Sequence, residues 1–261
     1  CDGSIRYGFP FGRHFELEGE FRFQVRLLEA REDGSGTVLA LLAVSRALNG
    51  LREWDTSERL EHWDNVAVWK SGPDKGRVRY VQFFMFRTQE EIPYEIQYLT
   101  AAEEIIIYSN ANHFLQSLDT GEHITKLPNL KRLTIGAYGL TTLHPDFKNL
   151  KNLEYLDLSS NNFQTIPDIL TPENFPNLHA LVLNANQRYT IYDLSNDVRE
   201  NIGGFVDEPK FPERILKWNK LDTIRLSVNY LQGELPAMLG HEKWTAEGNK
   251  HQHSNVLHKR Q

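Results

Sequence analysis

Residues 149–167 read NLKNLEYLDLSSNNFQTIP. The apolar side chains fall at Leu150, Leu153, Leu156, Leu158 and Phe163, with an asparagine at Asn161. A helix repeats its apolar face about every 3.6 residues and a half-buried strand every second residue. This stretch keeps neither period throughout, following L-x-x-L-x-x-L-x-L-x-x-N-x-F-x-x-I-P. The pattern returns downstream in FPNLHALVLNANQ, at Leu178, Leu181, Leu183 and Asn186. It returns again in NKLDTIRLSVNYLQGELP, at Leu221, Ile224, Leu226, Asn229 and Leu231. Upstream, PNLKRLTIGAYGLTTL carries Leu130, Leu133, Ile135 and Leu140, with Tyr138 in the asparagine's place. LTAAEEIIIYSNAN supplies Ala102, Ile105, Ile107 and Asn110, and GRVRYVQFFMF a degenerate first copy at Val78, Val81 and Phe83.

The first positions of these copies mostly lie 23–28 residues apart, and self-similarity at this period, with L-x-x-L-x-L-x-x-N inside each unit, is a repeat signature. On these residues, 78–240 resemble a leucine-rich-repeat solenoid. The resemblance implies an α/β fold, curved, with a parallel β-sheet on its concave face. Each x-L-x-L-x core is then a short strand with its two leucines inward and the flanking residues outward. Phe163 and Ile166 fold back from the convex side. A single repeat cannot bury its own apolar face, so neighbours stack. Asn110, Asn161, Asn186 and Asn229 stand where the chain leaves the strand. There a side-chain amide can pair backbone groups that would otherwise be buried alone, so these four are expected to form a structural ladder.

The chain has 261 residues, 40% hydrophobic and 25% charged, as in soluble globular proteins. A net charge of −6 argues against a general nucleic-acid surface. The longest apolar run, VLALLAV at 38–44, is far shorter than the roughly 20 residues that span a bilayer. No N-glycosylation sequon is present, which argues against a eukaryotic secreted glycoprotein. The single cysteine is Cys1, which excludes an internal disulfide and a cysteine-based zinc site in this sequence. A chain opening on its sole cysteine resembles a mature bacterial lipoprotein acylated at Cys1; the plain alternative is a numbering that starts there. On the lipoprotein reading the protein sits at the bacterial cell surface or outer membrane, touching membrane only through that anchor, or is secreted.

Residues 1–36 read as a short β element and linker, with alternation in HFELEGEFRFQVRLL (14–28) predicting two short strands broken at Gly19. DGSG at 33–36 reads as a turn. Residues 37–77 read as an N-terminal cap. A helix over 37–49 has an apolar face of Leu39, Leu42, Val44 and Leu48, and Trp54, Trp63 and Trp69 follow it. This helix and tryptophan segment resembles the cap of plant-type repeats without its cysteine pair, so aromatic burial is expected to replace the disulfide. LQGELP (231–236) and EEIPYEI (90–96) resemble the plant-type convex segment. The nearest family is that of secreted repeat lipoproteins in Bacteroides-type bacteria. The unit between Leu178 and Leu221 is overlong; the excess, within 187–217, reads as a long insertion. Residues 241–261 read as a C-terminal cap or tail.

Catalytic signatures are missing: there is no G-x-G-x-x-G, P-loop or G-x-S-x-G, and HEKWT (241–245) lacks the second histidine of a zinc pair. His241, His251, His253 and His258 lie in a polar tail and read as solvated, so no metal and no cofactor is expected. The acidic pairs Glu90–Glu91 and Glu103–Glu104 likewise read as solvated. Binding is the better expectation, through the outward strand positions. Reading down the stack, these are Tyr80, Glu104, Arg132, Tyr155, Ala180 and Thr223; then Gln82, Ile106, Thr134, Asp157, Val182 and Arg225; then Phe84, Tyr108, Gly136, Ser159, Asn184 and Ser227. Tyr80, Phe84, Glu104, Tyr108, Arg132, Tyr155 and Asp157 form the candidate site for a protein or glycan ligand. The alternatives are an interaction subunit of a surface assembly docked through the strands at 14–28, and an enzyme with its site in the 187–217 insertion.

Overall fold

The computed structural model describes residues 6–8, 14–16, 35–48, 54–86, 91–109, 118–186, 189–193, 198–201, 210, 213–229 and 231. Its centre is a seven-stranded sheet of β3 (Val66–Val68), β4 (Val78–Phe86), β5 (Glu104–Ser109), β6 (Arg132–Gly136), β7 (Tyr155–Asp157), β8 (Ala180–Val182) and β11 (Thr223–Arg225). From β4 to β11 every pairing is parallel, and strands adjacent in the repeat order are neighbours in the sheet. Between strands the chain returns through 3-10 turns at Tyr94–Tyr98, His123–Lys126, Pro145–Asn149 and Glu213–Lys217. The first position of each unit, Val78, Ala102, Leu130, Leu153, Leu178 and Leu221, is buried, as are Phe163 and Ile166. These side chains join one continuous core, as stacking of half-finished repeats requires.

Among the described residues, inner asparagine side chains bond backbone groups of neighbouring repeats. Asn161 is fully buried. Its Oδ1 accepts from the backbone N–H groups of Tyr138, Gly139 and Leu140 at 3.1, 3.0 and 3.1 Å. Its Nδ2 donates to the carbonyls of Ile135 and Leu158 at 2.7 and 2.9 Å. Asn186 donates to the Leu183 carbonyl, and its own N–H donates to Asn229 Oδ1 at 2.8 Å. Asn229 donates to the Leu183 and Leu226 carbonyls. Asn110 lies outside the described residues. The residue just before each ladder position, Ala137, Ser160, Ala185 and Val228, has φ of 50, 59, 56 and 61°. This left-handed step turns the chain out of the strand, at a steric cost for any residue bearing a Cβ.

At the other edge, β3 pairs antiparallel with β4, a strand the sequence reading did not anticipate. Trp54 stacks on Trp63 at 5.2 Å and meets Phe83 edge-on at 6.1 Å. Helix α1 (Ser35–Ala47) packs against the Tyr94–Tyr98 turn. Leu39, Val44 and Leu48 are buried, but Leu42 is only partly so, and Ala40 and Leu41 take its place in the core. The helix is therefore rotated from the expected face. Strand β2 (His14–Glu16) falls within the predicted β element, but its antiparallel partner is β1 (Arg6–Gly8), where no strand was expected. Residues 17–34, including the predicted second strand, lie outside the described residues. The 187–217 insertion is not plain loop: β9 (Tyr189–Asp193) and β10 (Val198–Asn201) pair antiparallel. The β-forming side chains of YTIYD favour that conformation.

Candidate functional site

The outward rows read from the repeats are register partners across the sheet. Tyr80 faces Glu104, then Arg132, Tyr155, Ala180 and Thr223. Gln82 faces Ile106, Thr134, Asp157, Val182 and Arg225. Burial alternates as the pleat demands: in β5, Ile105, Ile107 and Ser109 are buried, while Glu104, Ile106 and Tyr108 are half-exposed. Val182 departs from its row, being almost wholly buried.

The polar side chains on this face hold one another. Arg132 Nε donates to Glu104 Oε1 at 3.2 Å, and its guanidinium lies over the Tyr155 ring at 4.3 Å. The Tyr155 hydroxyl donates to Asp157 Oδ2 at 3.3 Å, and Asp157 Oδ1 accepts the Ser159 N–H at 2.9 Å. On β4 the same spacing recurs, the Tyr80 hydroxyl donating to Gln82 Oε1 at 3.1 Å. Both tyrosine hydroxyls are held above the ordinary pKa, first by burial. For Tyr80 the Glu104 carboxylate adds to the effect, and for Tyr155 the Asp157 carboxylate. Glu104, Arg132, Tyr155 and Asp157 therefore form one preoriented strip across three strands.

A second strip is aromatic. Phe84 and Tyr108 are register partners with ring centroids 6.0 Å apart and planes tilted by 37°. Phe84 is 47% exposed, more than any other large apolar side chain described. The next register partner is Gly136. A Cβ there would stand 2.5 Å from Tyr108 Cε2 and 2.6 Å from Cδ2. The tyrosine ring leans across β6 into the space a side chain would fill.

Of the acidic residues read as solvated, Glu103 and Glu104 are engaged across strands. Glu103 pairs with Lys131 at 2.8 Å and with Arg79 at 3.4 Å, and the Lys131 bond in particular holds its carboxyl below the usual range. Stacking places unlike charges from successive repeats side by side at the strand starts. Sequence reasoning also missed a second amide ladder on the surface. Asn129, Asn152 and Asn177 donate to the carbonyls of Thr100, Pro128 and Lys151, each in the preceding unit, at 2.9, 2.8 and 3.1 Å. Its signal was the Asn-Leu pair at 129–130, 152–153 and 177–178. Cys1 and the histidines at 241, 251, 253 and 258 lie outside the described residues.

Residues 128–187 match the family model for leucine rich repeats. No curated protein matches the chain. Among solved structures, the chain is similar to the ectodomain of the receptor kinase SOBIR1 from Arabidopsis thaliana. That match has 19% identity and TM-score 0.50, covering 74% of this chain and 92% of that one. It is similar as well to a plant ice-binding protein, with 21% identity and TM-score 0.50, covering 80% of this chain and 70% of that one. At such identities the likeness is one of fold. Residues 128–187 are thus leucine-rich repeats, and the parallel sheet running through them has the leucine-rich-repeat solenoid fold.

Proposed function

We propose that this chain is a non-enzymatic binding module that takes a protein or glycan partner on the outer face of its parallel sheet. The observation that carries the proposal is the pair of strips on that face. One is a preoriented row of Glu104, Arg132, Tyr155 and Asp157. The other is an aromatic pair with Phe84 47% exposed. Exposed apolar side chains grouped on one face and rimmed by polar ones mark an interaction surface, and preoriented polar groups lower the ordering cost of binding. Placement outside the cell belongs to the proposal and is supported by the receptor-ectodomain neighbour. No helix among the described residues is long and apolar enough to cross a membrane. Nor is there among them a group of three His, Cys, Asp or Glu able to hold a metal ion.

The test is to immobilise the purified protein, recover the molecule it retains from its native surroundings, and measure affinity for that molecule with Tyr108→Ala and Arg132→Ala variants. Each is expected to weaken binding by roughly tenfold or more, as truncation of an interface anchor does. Unchanged affinity in both, with the folded state intact by circular dichroism, overturns the outer-face site.

A further inference from the structure

Gly136 is the one outward position in β6 with no side chain, and the space above it is taken by a residue of the neighbouring strand. Since a Cβ there would come within 2.5 Å of the Tyr108 ring, the ring's place depends on this glycine. Gly136 is not at positive φ, so backbone conformation gives no separate reason for it. The leaning ring meets Phe84 at 37°, and with Phe84 47% exposed the two make an apolar platform. Two residues back along the strands, the register row Gln82, Ile106, Thr134 and Asp157 offers an amide, a hydroxyl and a carboxylate, with the apolar Ile106 between the first two. The charges in the outward strand rows cancel: Glu104 and Asp157 against Arg132 and Arg225.

We infer that Gly136 is the positioning residue of an aromatic recognition platform, Phe84 and Tyr108, whose ligand is a neutral sugar ring. This rests on the outer-face reading above and specifies its ligand. A pyranose has one apolar C–H face, which stacks on an aromatic ring, and a rim of hydroxyls that both donate and accept. The platform matches the face, and the adjoining amide, hydroxyl and carboxylate match the rim. The balanced charge complements a neutral chain better than an acidic or basic peptide. An apolar peptide side chain, by contrast, anchors best in a fully desolvated pocket.

The test uses the full chain against an array of neutral gluco-, manno-, galacto- and xylo-oligosaccharides, with uronic-acid oligosaccharides and peptides of either charge alongside. A neutral oligosaccharide is expected to bind. Tyr108→Phe is expected to retain that binding, while Tyr108→Ala and Gly136→Ala each weaken it roughly tenfold or more. The double variant is expected to lose no more than Tyr108→Ala alone, because Gly136 acts through that ring. Additive losses overturn the positioning role. Binding confined to peptides or uronic-acid chains, or to no probe on the array, overturns the sugar assignment. In that event the outer-face reading still stands or falls separately, on whether Arg132→Ala weakens binding of the natively retained molecule.

Discussion

The two ends of the sheet are tied together by different side chains. From β6 onward, buried backbone groups are paired by asparagine amides reaching from one repeat to the next. Around β3 and β4, indole N–H groups hold carbonyls that are only part-buried or exposed, and further along the Trp218 indole holds the buried Phe175 carbonyl at 3.1 Å. Trp54 donates to the Asp64 carbonyl at 2.9 Å, Trp63 to Glu58 at 3.3 Å and Trp69 to Ala101 at 2.9 Å. An amide both donates and accepts, so it can continue a ladder indefinitely; an indole only donates, and it brings a large apolar body. The amide therefore suits the interior of a stack. The indole suits a place where apolar area is buried along with the bond.

Trp63, 5% exposed and stacked on Trp54, is expected to matter most: Trp63→Ala should lower stability by about 3–5 kcal/mol in urea unfolding. A loss no larger than that of a surface substitution would mean that the tryptophans decorate the edge rather than close it. Asn161→Ala removes a purely polar device and should cost about 1–3 kcal/mol, since the buried N–H and C=O groups stay behind unpaired. Melts that overlay the parent would show the inner ladder to be dispensable.

Val228→Asn should act in the opposite sense. A β-branched residue at φ 61° pays a steric penalty that asparagine tolerates better, so stability is expected to rise by about 1 kcal/mol. A fall on differential scanning calorimetry would mean that the 39%-exposed valine packs usefully. Asn152→Ala sharpens the contrast between the two ladders. It breaks the same kind of amide–carbonyl bond as Asn161→Ala, but at the surface, where water replaces the partner, so the loss is expected to stay within about 0.5 kcal/mol.

The smallest effect is a matter of sign. The Glu103 carboxyl is held below its ordinary pKa, so its pairing stabilises the fold above the unfolded-state value and is lost as pH falls through the folded one. Lys131 is held above its ordinary value by the same bond, so its share is lost only as pH rises past that raised value. NMR titration should find Glu103 ionising at lower pH than a free glutamate, and Lys131→Ala should move it upward. An unmoved titration would assign the shift to Arg79.

Much of this architecture was written along the chain. Leu153, Leu156 and Leu158, and their counterparts in each unit, announce which side chains turn inward, because a short strand between two turns permits only one alternation. The same arithmetic placed Tyr80, Glu104, Arg132 and Tyr155 in one row and Phe84, Tyr108 and Gly136 in another. Regions without the repeat gave less: the face of α1 around Leu41, the antiparallel β3 and the hairpin of β9 and β10 have no periodic neighbour to fix their register. Only the tertiary structure decided what the outward residues do to one another. That Arg132 lies on Tyr155, that Glu103 joins Arg79 to Lys131, and that Tyr108 occupies the space of Gly136 follow from side-chain directions between strands. The spacing along the chain sets which residues become neighbours, and rotamer choice in a crowded sheet sets which of them touch.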